Sequence, residues 1–274
     1  MNTLSFISAN FVARQTGYNM TGSWMHGDST TQDFYRPLET FEPRFAAMLD
    51  EVKSMGFSAI DVWGAQLNPD WASAEHLRTA RLLLDARGLK VTSIATGVHS
   101  LEALEGLCRV AVAVGAPLIG GGAIKLMQES RAETLAILKA HGVKLGLENH
   151  PEKTPQEMIE QIGDSGDGYL GTALDTGWWA TQSYDAAQAI HALKDHLLSV
   201  HFKDIRAAGT HVTCRFGEGI VDLPACVRAL REVGYTGVIG VEHEPEFHDP
   251  TQDVIASRQL LEGWLTQYPA GGQA

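Results

Sequence analysis

Cysteine is scarce in this chain: Cys108, Cys214 and Cys226 stand far apart in 274 residues, with no CxxC spacing. That count excludes a disulfide framework and a thiolate metal knot, and it suits a reducing compartment. Basic charge is also in short supply, 21 Lys and Arg against 33 Asp and Glu, for a net charge of −12. A field of that sign repels a phosphate backbone, so no nucleic-acid partner is expected. No apolar run approaches the ~18 residues that a membrane span needs. The opening stretch MNTLSFISANFVARQ carries no basic residue ahead of its apolar part, so no leader is expected. The expectation is a cytoplasmic protein without membrane attachment. Linkers, low-complexity blocks and charge runs are missing as well, which leaves one domain over 1–274 as the simplest division.

Hydrophobic residues make up 44% of the chain, enough for a sizeable core. Runs rich in Val, Ile and Leu recur at 4–12, 59–64, 90–97, 116–122, 144–150, 170–177, 197–204 and 237–244. Helix signals lie between them. In TPQEMIEQI, Thr154 suits the N-cap, Pro155 the first turn, and Glu157 completes a capping box. Phe45, Leu49, Val52 and Met55 form a stripe that ends at Gly56. Eight strand–helix units in about 250 residues predict an α/β fold, a single (β/α)8 TIM barrel. The competing doubly wound open sheet lacks its glycine fingerprint after the first strand; glycines cluster only at Gly120, Gly121 and Gly122, after the fourth.

Alternate residues of a barrel strand point into the centre, so the last four strands can be read in phase. They end Gly146-Leu147-Glu148, Ala173-Leu174-Asp175, Ser199-Val200-His201 and Gly240-Val241-Glu242. Each is small, then large aliphatic, then ligand-type. The large residue faces the helices, the small one leaves room inside, and the third side chain points inward at the C-terminal mouth, where barrels of this kind carry their chemistry. Three carboxylates converging there repel one another by several kcal/mol unless a cation intervenes. Glu148, Asp175, His201 and Glu242 are therefore the expected ligands of one divalent metal. An oxygen-rich set with one imidazole favours Mn2+, with Mg2+, Co2+, Fe2+ and Zn2+ as alternatives.

The wording of these segments, LENHP, ALDTG, VHFKD, GVEHEP and the FGEG turn at 216–219, resembles the xylose-isomerase-like TIM-barrel superfamily of sugar-phosphate isomerases and epimerases. The resemblance covers nearly the whole chain and implies a Glu/Asp/His/Glu metal site. In the ketose 3-epimerases of that superfamily the two metal-binding glutamates are also the acid/base pair, positions that match Glu148 and Glu242. The chain is similar as well to inosose dehydratases and hydroxypyruvate isomerases, so fold alone does not choose the reaction. One departure stands out: many relatives read Asp-x-x-His after the sixth strand, and here Trp178 follows Asp175 at that spacing. Loss of that histidine argues against the multi-zinc DNA-repair endonucleases of the superfamily.

Further candidates follow from phase. His150 shares the inward face with Glu148, as a base, as a hydroxyl contact, or as a rim histidine. Lys203 shares its face with His201, either over a developing oxyanion or paired to Asp204 or Asp222. Arg215 matches a position where related sugar enzymes often hold substrate. His243 alternates outward and reads as a packing residue, whereas Glu244 points inward beyond Glu242, within reach of a ligand. Trp178 and Trp179 offer a flat wall for a sugar or an aromatic ring. The connection 10–37 is far longer than usual and carries Trp24 and His26 as further substrate contacts, so it is expected to be a lid or an interface. This stretch also resembles the larger subunits of bacterial C-glycoside deglycosidases.

The leading expectation is a metal-dependent isomerase or epimerase of a keto sugar or sugar derivative, working by proton abstraction beside a metal-bound carbonyl through an enediolate. A lyase acting on 3-keto glycosides by β-elimination, or an inosose-type dehydratase, shares the first step. A catalytically silent sugar-binding or partner subunit is the alternative from another class. The expected partner is a small carbohydrate. Homo-oligomeric assembly is expected, or a hetero-oligomer on the deglycosidase reading.

Overall fold

Aliphatic side chains packed on both faces of short strands leave a parallel sheet no stable arrangement except one covered by helices. The computed structural model, which describes residues 2–269, has that arrangement. Eight strands run β1 Thr3–Ile7, β2 Ala59–Trp63, β3 Lys90–Ala95, β4 Leu118–Gly121, β5 Lys144–Glu148, β6 Leu170–Asp175, β7 Leu197–Ile205 and β8 Val238–Glu242. All eight pair in parallel with their chain neighbours, and the circle closes where β8 meets β1, with Thr3 opposite Val238 and Phe6 opposite Val241. The fold is the single TIM barrel that the eight runs predict. Helices are α1 Trp24–Tyr35, α2 Leu38–Ser54, α3 Ala74–Arg87, α4 Leu101–Val114, α5 Ile124–Glu129, α6 Arg131–His141, α7 Pro155–Ile162, α8 Thr176–Thr181, α9 Ala186–Ala192, α10 Leu223–Glu232 and α11 Thr251–Gln267. A two-residue antiparallel strand, Thr213–Cys214, folds back on the end of β7.

The helix signals act as expected. Thr154 Oγ1 accepts the Glu157 N–H at the start of α7, and Asp222 accepts the Ala225 N–H at 2.9 Å at the start of α10. The large residue of each strand-end triplet joins the main core: Leu147, Leu174, Val200 and Val241 are each at most 2% exposed. Burying side chains of that size contributes roughly 1.5–3 kcal/mol apiece. The small residues are small of necessity. A Cβ on Gly240 would lie 2.5 Å from Ile7 Cδ1, and one on Gly146 would lie 3.1 Å from the Cβ of Ala173.

Two boundaries differ from expectation. The first strand stops at Ile7, and Ser8–Phe11 turn away as 3-10 helix. The connection 10–37, expected as a long loop forming a lid or an interface, is largely helical, because α1 occupies Trp24–Tyr35. Its buried stripe is Gly27, Thr31 and Tyr35, and a Cβ at Gly27 would meet the Val12 carbonyl at 2.4 Å. The helix thus lies against the turn that follows β1. No helix among the described residues is long and apolar enough to cross a membrane.

Candidate active site and metal centre

At the C-terminal mouth the four expected side chains meet. One donor atom each from Glu148, Asp175, His201 and Glu242 lies within 4.8 Å of all the others. Phase and register explain the gathering: Asp175 pairs with His201 across β6 and β7, and Gly240 sits opposite His201, which puts Glu242 beside the imidazole. His201 Nδ1 lies 3.1 Å from Glu242 Oε2 and 3.6 Å from Glu148 Oε1. His201 Nδ1, Glu242 Oε2 and Asp175 Oδ2 are buried atoms without a hydrogen-bond partner, each aimed at the same space. Two oxygens and one nitrogen left unsatisfied in this way, with the Glu148 carboxylate beside them, fit a divalent cation.

Lys203 completes the cluster. Its Nζ lies 3.0 Å from Glu242 Oε1, 3.1 Å from Asp175 Oδ2 and 3.3 Å from Glu244 Oε2, and the side chain is 2% exposed. Of the two arrangements open to it from sequence, pairing to Asp204 or Asp222 is not the one adopted. Asp204 instead accepts the N–H groups of Gly217, Gly219 and Val221, which fixes the FGEG turn. Glu244, expected to reach a ligand, binds Lys203.

Burial and charge separate the titrations. Burial alone would raise Glu242 and Glu148, yet Lys203 and His201 hold Glu242 far below the usual carboxylate range, and His150 with His201 keeps Glu148 below it. Asp175 is pushed up to about 6 by burial against the pull of Lys203, and Glu244 to about 8 by burial. His201 would be lowered by its burial, but Glu242 and Glu148 raise it well above the ordinary imidazole value. Neighbouring cations thus favour the ionised form of Glu148 and Glu242, while burial favours the neutral form of Asp175 and Glu244.

Above the cluster lies a cavity of about 730 Å³, walled by Trp24, Trp63, Trp178, His150 and His211 among others. Trp178 stacks on His211 with ring centres 3.7 Å apart and 12° between planes, and His150 lies tilted against Trp178 at 4.7 Å. Lys203 can only donate, so His211 Nε2, 3.4 Å away, accepts, and Nδ1–H is left to donate to Thr181 Oγ1 at 2.9 Å. Burial and the ammonium push His211 down to about 3. His150 Nε2 is 3.6 Å from Glu148 Oε2, on the inward side as its phase demanded. Trp24 projects from α1 edge-on to Trp63 at 4.8 Å, so part of 10–37 does reach the mouth.

Some expected contacts are not brought together. His26 does not line the cavity although Trp24 does, because α1 turns its side chain away. Arg215 is likewise absent from the wall; its guanidinium is taken up by Glu218 at 2.6 Å. Trp179 is fully buried in the core, so only Trp178 forms the wall. His243 packs outward as its phase requires, 1% exposed, with Nδ1 on Thr213 Oγ1.

Residues not anticipated from sequence support the cluster. Asp61, inward on β2 and fully buried, bonds Ser93 and lies 3.9 Å from His201 Nε2; burial raises it to about 6. Three side chains stand in for backbone where the strands end. Asn149 donates to the Asp175 carbonyl at 3.0 Å and accepts the Asp175 N–H at 2.9 Å. Asn10 donates to the Val241 carbonyl and accepts the His243 N–H, bracketing Glu242. Thr176 Oγ1 exchanges both bonds with Lys203.

A barrel with this mouth has known counterparts. The family model for the xylose isomerase-like TIM barrel matches residues 49–264, and the chain belongs to that family. An uncharacterised protein of Methanocaldococcus jannaschii is 27% identical over 143 residues, 49% of this chain and 46% of that protein. The L-ribulose-5-phosphate 3-epimerase UlaE of Shigella boydii is 32% identical over 94 residues, 34% of this chain and 33% of the epimerase. The chain therefore matches less than half the length of either relative. Among solved structures, the IOLI protein with a bound zinc atom superposes with a TM-score of 0.73 over 98% of this chain and 99% of its own, at 15% identity, which shows a shared fold.

Proposed function

We propose that the protein is a divalent-metal-dependent isomerase or epimerase of a keto sugar or sugar derivative. The observation that carries this reading is the meeting of Glu148, Asp175, His201 and Glu242 within 4.8 Å at the floor of the cavity. A cation held by those four supplies Lewis acidity, which stabilises negative charge developing on a carbonyl oxygen. One of Glu148 and Glu242, carried on different strands, removes as a carboxylate the proton on the carbon beside that carbonyl, and a proton is returned either by that same glutamate or by the other one after it has taken up a proton from solvent. Return to the same carbon from the other side epimerises it; return to the neighbouring carbon isomerises the sugar. Lys203 holds Glu242 as an anion, and His150 orients a hydroxyl near Glu148. The epimerase activity of the UlaE relative and the zinc in the IOLI structure support the same reading. Donor chemistry favours Mn2+, Mg2+ or Co2+ over Zn2+.

The aromatic walls favour one variant on this first step. Trp24, Trp63 and Trp178 line a space wide enough for a substituent larger than a triose, as elimination from a 3-keto glycoside requires. A screen of free ketoses and 3-keto glycosides with Mn2+ in D2O separates the readings. An isomer carrying one solvent deuteron supports rearrangement, a released aglycone or water supports elimination, and absence of any exchange across the panel overturns both in favour of a silent binding subunit.

A further inference from the structure

Outside the mouth, where the chain leaves β8, a second gathering of ligand-type side chains forms. His243 Nε2 lies 3.4 Å from Asp253 Oδ2, and His248 Nε2 lies 3.2 Å from the same oxygen. The donor atoms of all three are within 4.8 Å of one another. His243 points away from the sugar site, opposite in phase to Glu242, and its ring is 1% exposed. Its Nδ1 lies 3.0 Å from Thr213 Oγ1, and its buried Nε2 has no hydrogen-bond partner. A buried imidazole nitrogen left bare and aimed at a carboxylate calls for a partner.

The spacing, which also lets His248 hydrogen-bond Asp253, suits a metal ion. Bonds of about 2.0–2.1 Å at a tetrahedral angle put neighbouring donors about 3.3–3.4 Å apart, close to both measured separations. Nδ1–H donated to Thr213 would direct the Nε2 lone pair inward, the arrangement that orients a ligating histidine. We propose that His243, His248 and Asp253 form a second divalent-metal site, with two nitrogens and one oxygen suited to Zn2+. Its fourth position faces solvent, since the side chains of His248 and Asp253 are 56% and 32% exposed. The ion would tie the segment that carries Glu242 and Glu244 to the first turn of α11. Nothing in the site depends on the sugar chemistry proposed above.

The test is metal stoichiometry. Apo protein is equilibrated with Zn2+, freed of excess by gel filtration and measured by elemental analysis, with affinities from competition against a chelator. Wild type should hold two Zn2+ per chain. His248→Ala and Asp253→Asn, both at partly or fully exposed positions, should each hold one, with binding at the lost site weakened more than ~10-fold, the effect of losing even an outer partner of a ligand. Asp175→Asn should retain the ion at His243. Variants at 248 and 253 that keep the wild-type stoichiometry and affinities overturn the site.

Discussion

Replacing Lys203 by Met tests the charge balance of the mouth most directly. The ammonium lies 3.0, 3.1 and 3.3 Å from three carboxylates. At an effective dielectric near 20 each contact is worth about 5 kcal/mol of gross attraction. Desolvation of a side chain only 2% exposed cancels most of it. What the variant loses is the compensation of buried anions, and breaking a buried pair in this way costs about 3–5 kcal/mol. In EDTA, Lys203→Met should therefore unfold at clearly lower urea than wild type. Mn2+ should then rescue the variant more than the wild type, because a second cation no longer repels it. Saturating metal at 100 times Kd stabilises wild type by about 2.7 kcal/mol. Tenfold tighter binding in the variant would add about 1.4 kcal/mol to that. Equal urea midpoints in EDTA, or equal metal-dependent increments, would refute the view that the lysine and the ion share one pool of negative charge.

On the proposed function, Glu148→Gln and Glu242→Gln should each lower turnover and solvent-deuterium exchange about 10²–10⁴-fold while far-UV CD stays native, since each would remove a proposed anionic ligand and acid/base group. His211 is pushed down to about 3, below its unfolded value near 6.5, so its contribution to stability is complete above pH ~6.5 and declines as pH falls toward 3. In EDTA, His211→Gln should accordingly lose about 2 kcal/mol less than wild type between pH 7 and pH 5 by urea denaturation. Gly121 has φ 152°, and a Cβ there would sit 2.0 Å from the Thr96 carbonyl; Gly121→Ala should lower stability by at least about 1–3 kcal/mol, read as a reduced urea midpoint.

The barrel and the meeting of Glu148, Asp175, His201 and Glu242 were legible because two periodicities coincide. Strand alternation fixes which residue faces inward, and the repeated small-large-ligand ending marks where each strand reaches the mouth. Asp61 was hidden because an acid amid AIDVW is read as a solvent-facing position until the barrel closes over it. Asn149 and Asn10 were hidden because their partners are backbone groups 26 and more than 230 residues away, set by register alone. The helix in 10–37 escaped because its buried stripe is Gly27, Thr31 and Tyr35, spaced for a helix but with only one large apolar side chain. Arg215 was assigned by position, which carries no information about Glu218 competing for it.

The clamps at the strand ends grip peptide groups and leave the clamped side chains alone. Asn149 bonds the N–H and carbonyl of Asp175, and Asn10 grips the peptides flanking Glu242. Where a donor stands is thereby uncoupled from which donor it is: exchanging aspartate for histidine, or glutamate for glutamine, leaves the grip untouched. A rim built on such fasteners can be re-lettered one site at a time, and its coordination chemistry can drift while the frame beneath keeps its shape.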